Sequence, residues 1–218
     1  MGIEGVTTAD VVKGAVSEEI GHVDVLDLRP GRITELVGHP GTGLTRLGLA
    51  MIAPYSRVAP VVALDVGGWI SPGAAWEAGV IAERLVVVRC GDPVLWPKVT
   101  AALLEGVRAV YAEVPARVRE SDLRRLAALA RARRVAVVMR TREGLPGGVS
   151  FLKLRALGVT WEGADGGHGR LTRRRLMLEA TGKGAAGIAR RFEMEDEGAD
   201  TVRVVSDLVV GQTRRAVG

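Results

Sequence analysis

The stretch VGHPGTGLTR, residues 37–46, sets Gly38, Gly41, Gly43, Leu44 and Thr45 in an order that bears on phosphate chemistry. In the pattern G-x-x-x-x-G-K-[ST], backbone N–H groups cradle a β-phosphate at a helix N-terminus, the lysine reaches the β- and γ-phosphates, and the hydroxyl holds Mg²⁺. Every fixed position is present except the lysine, which is Leu44. A leucine removes one formal charge and puts an apolar side chain where a charge-assisted contact belongs. Phosphoryl transfer rests on positioning and electrostatics, so the missing lysine weakens the case for a working nucleotide site. No cofactor is required, although weak ATP or ADP binding by the loop backbone is compatible with the pattern. The plainer reading of the same glycines is a tight strand-to-helix turn that needs their backbone freedom.

A loop of this kind works only between a strand and a helix, and the flanking residues supply both. RITELV (32–37) reads as a strand, and TRLGLAMIAP as a helix stopped by Pro54. VVALDV (61–66), RLVVVRC (84–90), RAVYAEV (108–114) and RVAVVMRT (134–141) read as further strands. PGAAWEAGV, PKVTAALLEGV (97–107) and SDLRRLAALARARR (121–134) read as helices between them, the last capped by Ser121. Strands alternating with helices predict an α/β fold: a mostly parallel sheet with helices on both faces. FLKLRALGVTWEG and RLTRRRLMLEATG alternate instead, and ADGGHG joins them, which predicts antiparallel strands extending one sheet edge. Upstream, VVKGAVSEEI reads as a short helix and HVDVLDL as a short strand. The expected organisation is an N-terminal segment 1–30, a core 31–192 and a tail 193–218 too irregular to belong to the core.

The 218 residues suit one such domain, and 47% apolar residues suffice for its core. The net charge of +5 is compatible with nucleic acid or an acidic partner without identifying a site. Cys90 is the single cysteine, and His22, His39 and His168 show no metal-ligand spacing, so neither an intrachain disulfide nor a metal site is expected. No signal-peptide pattern or apolar run of membrane-spanning length occurs, so a cytoplasmic protein without membrane contact is expected.

GRITELVGHPGTGLTRLGLAMIAP resembles the first strand and P-loop helix of the RecA recombinase family, whose members also open this unit with a G-R-x-x-E-x-x-G run. ALDVGGWISPGAAWEAGVIAERLVVVRC follows in RecA order, and RAVYAEV falls at the Walker B strand. AALLEGVRAVYAEVPARVRESDLRRLAALARARRVAVVM and VTWEGADGGHGRLTRRRLMLEATGKG resemble the short ImuA and ImuA′ accessory proteins of mutagenic DNA repair. The resemblance spans roughly Gly31 to Gly182. It implies a RecA-like P-loop core, and it makes the departures visible. Leu44 replaces the lysine. Gly67-Gly68 stand where the catalytic glutamate belongs. The Walker B strand ends in Glu113 instead of aspartate. Arg140-Thr141 stand where a polar pair senses the γ-phosphate. Together these imply no catalytic residues, with Gly38, Gly41, Gly43, Leu44, Thr45 and Glu113 as a vestigial or weak nucleotide site.

By the same resemblance the chain is a non-catalytic adaptor in an SOS-type DNA-damage response. It would support error-prone translesion synthesis by binding an ImuB-like relative of Y-family polymerases and a DnaE-type polymerase. Two alternatives stay open: a DNA-binding RecA paralogue, and a RecA/KaiC-type ATPase with unconventional residues.

The remaining charged and aromatic residues read as follows. Arg170, Arg173 and Arg175 are possible phosphate contacts for weak, non-specific DNA binding, against the plainer reading of a charged edge strand. Arginines between 117 and 134 read mainly as a solvated helix face. Trp69, in the loop that lost its glutamate, is a candidate to fill the vacated pocket. Asp165 and His168 belong to turn chemistry rather than to catalysis.

Overall fold

In a computed structural model of the chain, residues 26–165, 168–196 and 202–209 are described. β1 (Ile33–Val37), β2 (Val61–Asp65), β4 (Ala109–Glu113) and β5 (Ala136–Thr141) are buried along their whole length, as parallel strands covered on both faces must be. β3 (Leu85–Arg89) is the sheet's edge and is partly exposed. The four helices that follow these strands are α1 (Leu44–Ser56), α2 (Pro72–Glu77), α3 (Trp96–Gly106) and α4 (Glu120–Arg133). Four longer strands complete the sheet: β6 (Leu152–Asp165), β7 (His168–Gly182), β8 (Arg190–Asp196) and β9 (Val202–Val209).

The strand order is β3-β2-β4-β5-β1-β6-β7-β8-β9. β1 runs parallel to β5 on one side and to β6 on the other, so the loop after β1 opens at the middle of the sheet. β6 through β9 then pair antiparallel. The expected architecture is therefore the observed one: an α/β core with a mostly parallel sheet, extended at one edge by antiparallel strands.

Alternation along each strand sends side chains to two cores. Leu36, Ala109 and Tyr111 join Leu44, Leu47 and Ile52 of α1 on one face, together with Leu176, Leu178 and Phe192 of the extension. Ile33, Val110 and Ala112 join Leu104 of α3 and Leu123 and Leu126 of α4 on the other.

Several local expectations change. Pro54 lies inside α1, not at its end. It sits in the last turn, where only the missing N–H and a single ring contact must be absorbed, and the chain closes just beyond with Arg57 N–H on Pro54 C=O. Ser121 is inside α4, whose N-cap is Arg119 without a side-chain cap; Glu120 and Asp122 oppose the helix dipole there instead. Leu26–Leu28 are not strand, while the helix and most of the strand expected upstream lie outside the described residues. The proposed boundary at residue 192 falls inside β8, and β9 lies wholly beyond it. Phe192 and Met194 are buried, so the strand expected to be tail is part of the core.

Candidate functional site

Gly38 leaves β1 with its N–H on the Thr141 carbonyl, and the loop closes when Gly43, at φ +82, begins α1. Positive φ there, and at Gly41, is what glycine supplies at little steric cost. The Thr42 hydroxyl donates to the His39 carbonyl at 2.7 Å and braces the turn. The loop thus has the strand–turn–helix setting that a phosphate cradle requires.

Its side chains do other work. Leu44 is 1% exposed and packs in the α1 core. A Cβ on Gly38 would lie 2.8 Å from Leu44 Cδ1, so the leucine turns back under the loop rather than out toward a ligand. Thr45 accepts a long hydrogen bond, 3.4 Å, from the Tyr111 hydroxyl on β4. Burial pushes the Tyr111 phenol well above the ordinary tyrosine range. Over the loop lies Arg174 of β7. A Cβ on Gly43 would overlap its guanidinium, the arginine is 9% exposed, and its Cζ sits 5.5 Å from the Trp161 ring. The cation at this loop therefore comes from the antiparallel extension, not from the loop itself.

Glu113, at the Walker B position, is equally committed. Its carboxylate accepts from Val66 N–H (3.2 Å), Gly67 N–H (3.4 Å) and Trp69 Nε1 (2.9 Å), and pairs with Arg140 at 3.2 Å. Four donor groups fill the roughly four lone-pair sites of a carboxylate. Trp69, 58% exposed, lies over Gly67, where a Cβ would be 2.5 Å from its ring. The indole therefore seals the end of β2 and β4 and does not fill the loop beside α1. Asp65, fully buried, accepts from Gly68 N–H (2.8 Å), Trp69 N–H (3.3 Å) and Ile70 N–H (3.1 Å). The two carboxylates at the ends of β2 and β4 thus hold the loop that follows β2.

The G-R-x-x-E run has a structural role as well. Glu35, buried on β1, accepts from Ser150 Oγ (2.9 Å) and from Leu145 N–H, and pairs with Lys153 at 3.4 Å. The short segment after β5 is thereby tied to the central strand.

Arg173 and Arg175 sit on the β7 face opposite Arg174. Arg173 reaches Glu195 at 2.9 Å and Glu162 at 3.5 Å, and Arg175 reaches the same two residues at 3.4 and 3.5 Å. Glu195 and Glu162 hold the Arg175 guanidinium protonated above its ordinary range. These arginines cross-link three strands and are engaged by carboxylates, not free for phosphate. Arg170 lies on β7, apart from them; its side chain is outside the described residues. Asp165 and His168 are cross-strand neighbours at the hairpin tip.

Of the expected site residues, Gly38, Gly41, Gly43, Leu44 and Thr45 form one loop, and Glu113 faces the adjacent strand ends. Arg174, Asp65 and the Trp69–Glu113 bond were not anticipated. Arg174 shares a strand face with Leu176, Leu178 and Ala180, so alternation alone marks it as inward-pointing.

Comparisons with known proteins follow the same outline. A family model described as the MT3502 N-terminal domain matches residues 24–147, more than half of the chain, and ends before β6. No curated protein sequence matches. Among solved structures, the crystal structure of the RadB recombinase is similar with a TM-score of 0.54 at 18% identity, covering 76% of this chain and 88% of that one. At that identity the likeness is one of fold, a RecA-like core.

Proposed function

The chain belongs to the MT3502 N-terminal domain family, and we propose that it is a RecA-like accessory protein that has exchanged catalysis for protein binding in a DNA-damage response. In this reading it supports error-prone translesion synthesis by engaging an ImuB-like relative of Y-family polymerases and a DnaE-type polymerase. The partners come from the resemblance of residues 101–139 and 159–184 to the ImuA and ImuA′ proteins.

The observation that carries the non-catalytic part is the shell around Glu113. A Walker B carboxylate must be available to a metal-bound water, and this one is occupied by two backbone N–H groups, an indole and a guanidinium. Leu44 in the core and Arg174 against Gly43 support the same conclusion. Such a loop keeps its shape as scaffold.

Two measurements test the reading. ATP hydrolysis should stay at background with and without single-stranded DNA. Leu44→Lys should not create activity, because the new ammonium would enter an apolar core while Glu113 remained engaged. A DNA-stimulated rate abolished by Thr45→Ala overturns the non-catalytic part. Titration calorimetry of the full chain against an ImuB-like protein should show binding; no binding to either polymerase-type partner overturns the adaptor part.

A further inference from the structure

At the far end of β1 from the phosphate loop, the sheet carries a second cleft. Its volume is about 260 Å³, and Gly31, Arg32, Arg131, Ser150, Phe151 and Lys183 are among the residues that line it. Five residues of strand, roughly 17 Å, separate it from Gly38, so it is not part of the degenerate nucleotide site. Three cations line it and no carboxylate does. Among the described residues Arg32, Arg131 and Lys183 make no ion pair, although elsewhere on this chain arginines commonly have one, as Arg124 does with Glu120, Arg133 with Glu105 and Arg191 with Glu179.

The arrangement concentrates like charge. Arg29 and Arg32 both lie over the Phe151 ring, each Cζ 5.3 Å from its centroid. The ring's negative face partly offsets the charge of each guanidinium, but it does not remove their repulsion for one another. Arg131 and Arg134 lie close to the chain at Gly31, whose Cβ would be 3.4 Å from Arg131 Cα and 3.6 Å from Arg134 Cα. Arg108 leads into β4 beside them, its carbonyl accepting from Ala136 N–H. The same end of the sheet thus gathers Arg29, Arg32, Arg108, Arg131, Arg134 and Lys183 on segments fixed by strand starts and a helix end. Among the described residues that line the cleft, these cations meet no carboxylate.

We infer that this cleft binds a phosphate group, presented by a small phosphoester or by a nucleic-acid backbone. Planar guanidinium forks suit phosphate oxygens, and the one aromatic ring lining the cleft, Phe151, already has two arginines over it. Recognition is therefore of phosphate and not of base sequence. The inference stands independently of the proposed adaptor role.

The test uses the full chain, with inorganic pyrophosphate in calorimetry and a labelled oligo(dT) strand in anisotropy at several salt concentrations. Wild type should bind at least one probe. Arg32→Glu/Arg131→Glu/Lys183→Glu should lower the affinity by at least about tenfold and flatten the slope of log K against log salt by about 2 for oligo(dT), three contacts at about 0.7 each. These side chains are exposed, so circular dichroism should be unchanged; the Arg32→Gln/Arg131→Gln/Lys183→Gln chain provides a milder version of the same loss. Arg173→Gln/Arg175→Gln should leave binding unaltered. Pyrophosphate binding that the triple variant loses points to a small phosphoester, and binding of oligo(dT) alone points to a backbone. Failure to bind either probe at low salt, or an unchanged slope in the triple variant, overturns the inference. So does a poly-glutamate peptide that binds more tightly than both, which would assign the cleft to an acidic protein.

Discussion

At the scale of single residues, Glu113 and Tyr111 carry structural loads that can be measured. Glu113 and Arg140 form a buried pair at 3.2 Å, and removing one member leaves the other charge without its counter-ion. Glu113→Gln should therefore destabilise the fold by about 3 kcal/mol, read as a shift in the urea midpoint. A loss of only a few tenths would mean that the Val66–Trp69 loop does not depend on this carboxylate. Tyr111 offers a test by pH. Burial raises its phenol, so the neutral form is the one the fold favours, and the unfolded chain loses that proton first, at about pH 10. Tyr111 thus contributes its full stability below that pH and loses it progressively as pH climbs toward the higher value of the folded chain. Tyr111→Phe gives up only the 3.4 Å contact to Thr45. Its stability should lie near wild type at pH 7 and fall less steeply between pH 9 and pH 11, where urea unfolding can compare the two chains.

At the scale of elements, α1 lies close on the sheet because residue 48 is glycine. A Cβ there would overlap the Tyr111 ring and lie 3.2 Å from Leu36 Cδ1. Helix propensity alone favours alanine over glycine by roughly 1 kcal/mol, whereas overpacking costs about 1–3 kcal/mol. Gly48→Ala should therefore be net destabilising; a raised midpoint would show that α1 can lift away from β4 freely. This close approach was not legible in the sequence, where Gly48 is merely a poor helix residue inside an apolar run. What was legible has local causes. Buried parallel strands are continuous apolar runs, and the glycines of the phosphate loop mark a turn that only they can make. The departures from the P-loop pattern could also be read locally, at Leu44 and Gly67. The contacts that accompany them could not. Arg174 meets Gly43 across 131 positions of chain, and the four donors on Glu113 come from two segments far apart in sequence, the loop after β2 and β5. Spacing rules describe neighbours along one element, and these contacts are made between elements. The misread Pro54 and Ser121 have the opposite origin: local rules placed a helix end that packing moved by two residues in α1 and a cap that it moved by two in α4.

At the scale of the whole molecule, the antiparallel extension is joined to the core through the sheet itself. β6 continues the pairing of β1, and each later strand covers the last. Arg173 and Arg175 of β7 bridge Glu162 of β6 and Glu195 of β8, and Phe192 and Met194 place β8 side chains in the same core as Leu44. A chain cut after residue 192 would lose Met194, expose β7 as an edge, and leave two arginines without Glu195. Losing one buried methionine side chain alone costs about 2–5 kcal/mol by the cost of large-to-small core substitutions, a large share of a typical domain's stability. That truncation should melt well below the full chain or fail to fold cooperatively. A chain cut after residue 201 removes β9 but keeps β8 whole, and it should retain the core's cooperative transition with a modest loss. Thermal melts by circular dichroism separate the two cases. If both truncations melt together near wild type, residues 193–218 are dispensable and the boundary at 192 stands. If only the longer chain survives, any partner lost on cutting at 192 reflects a damaged fold, and a binding surface in this region must be mapped by point substitutions on exposed positions.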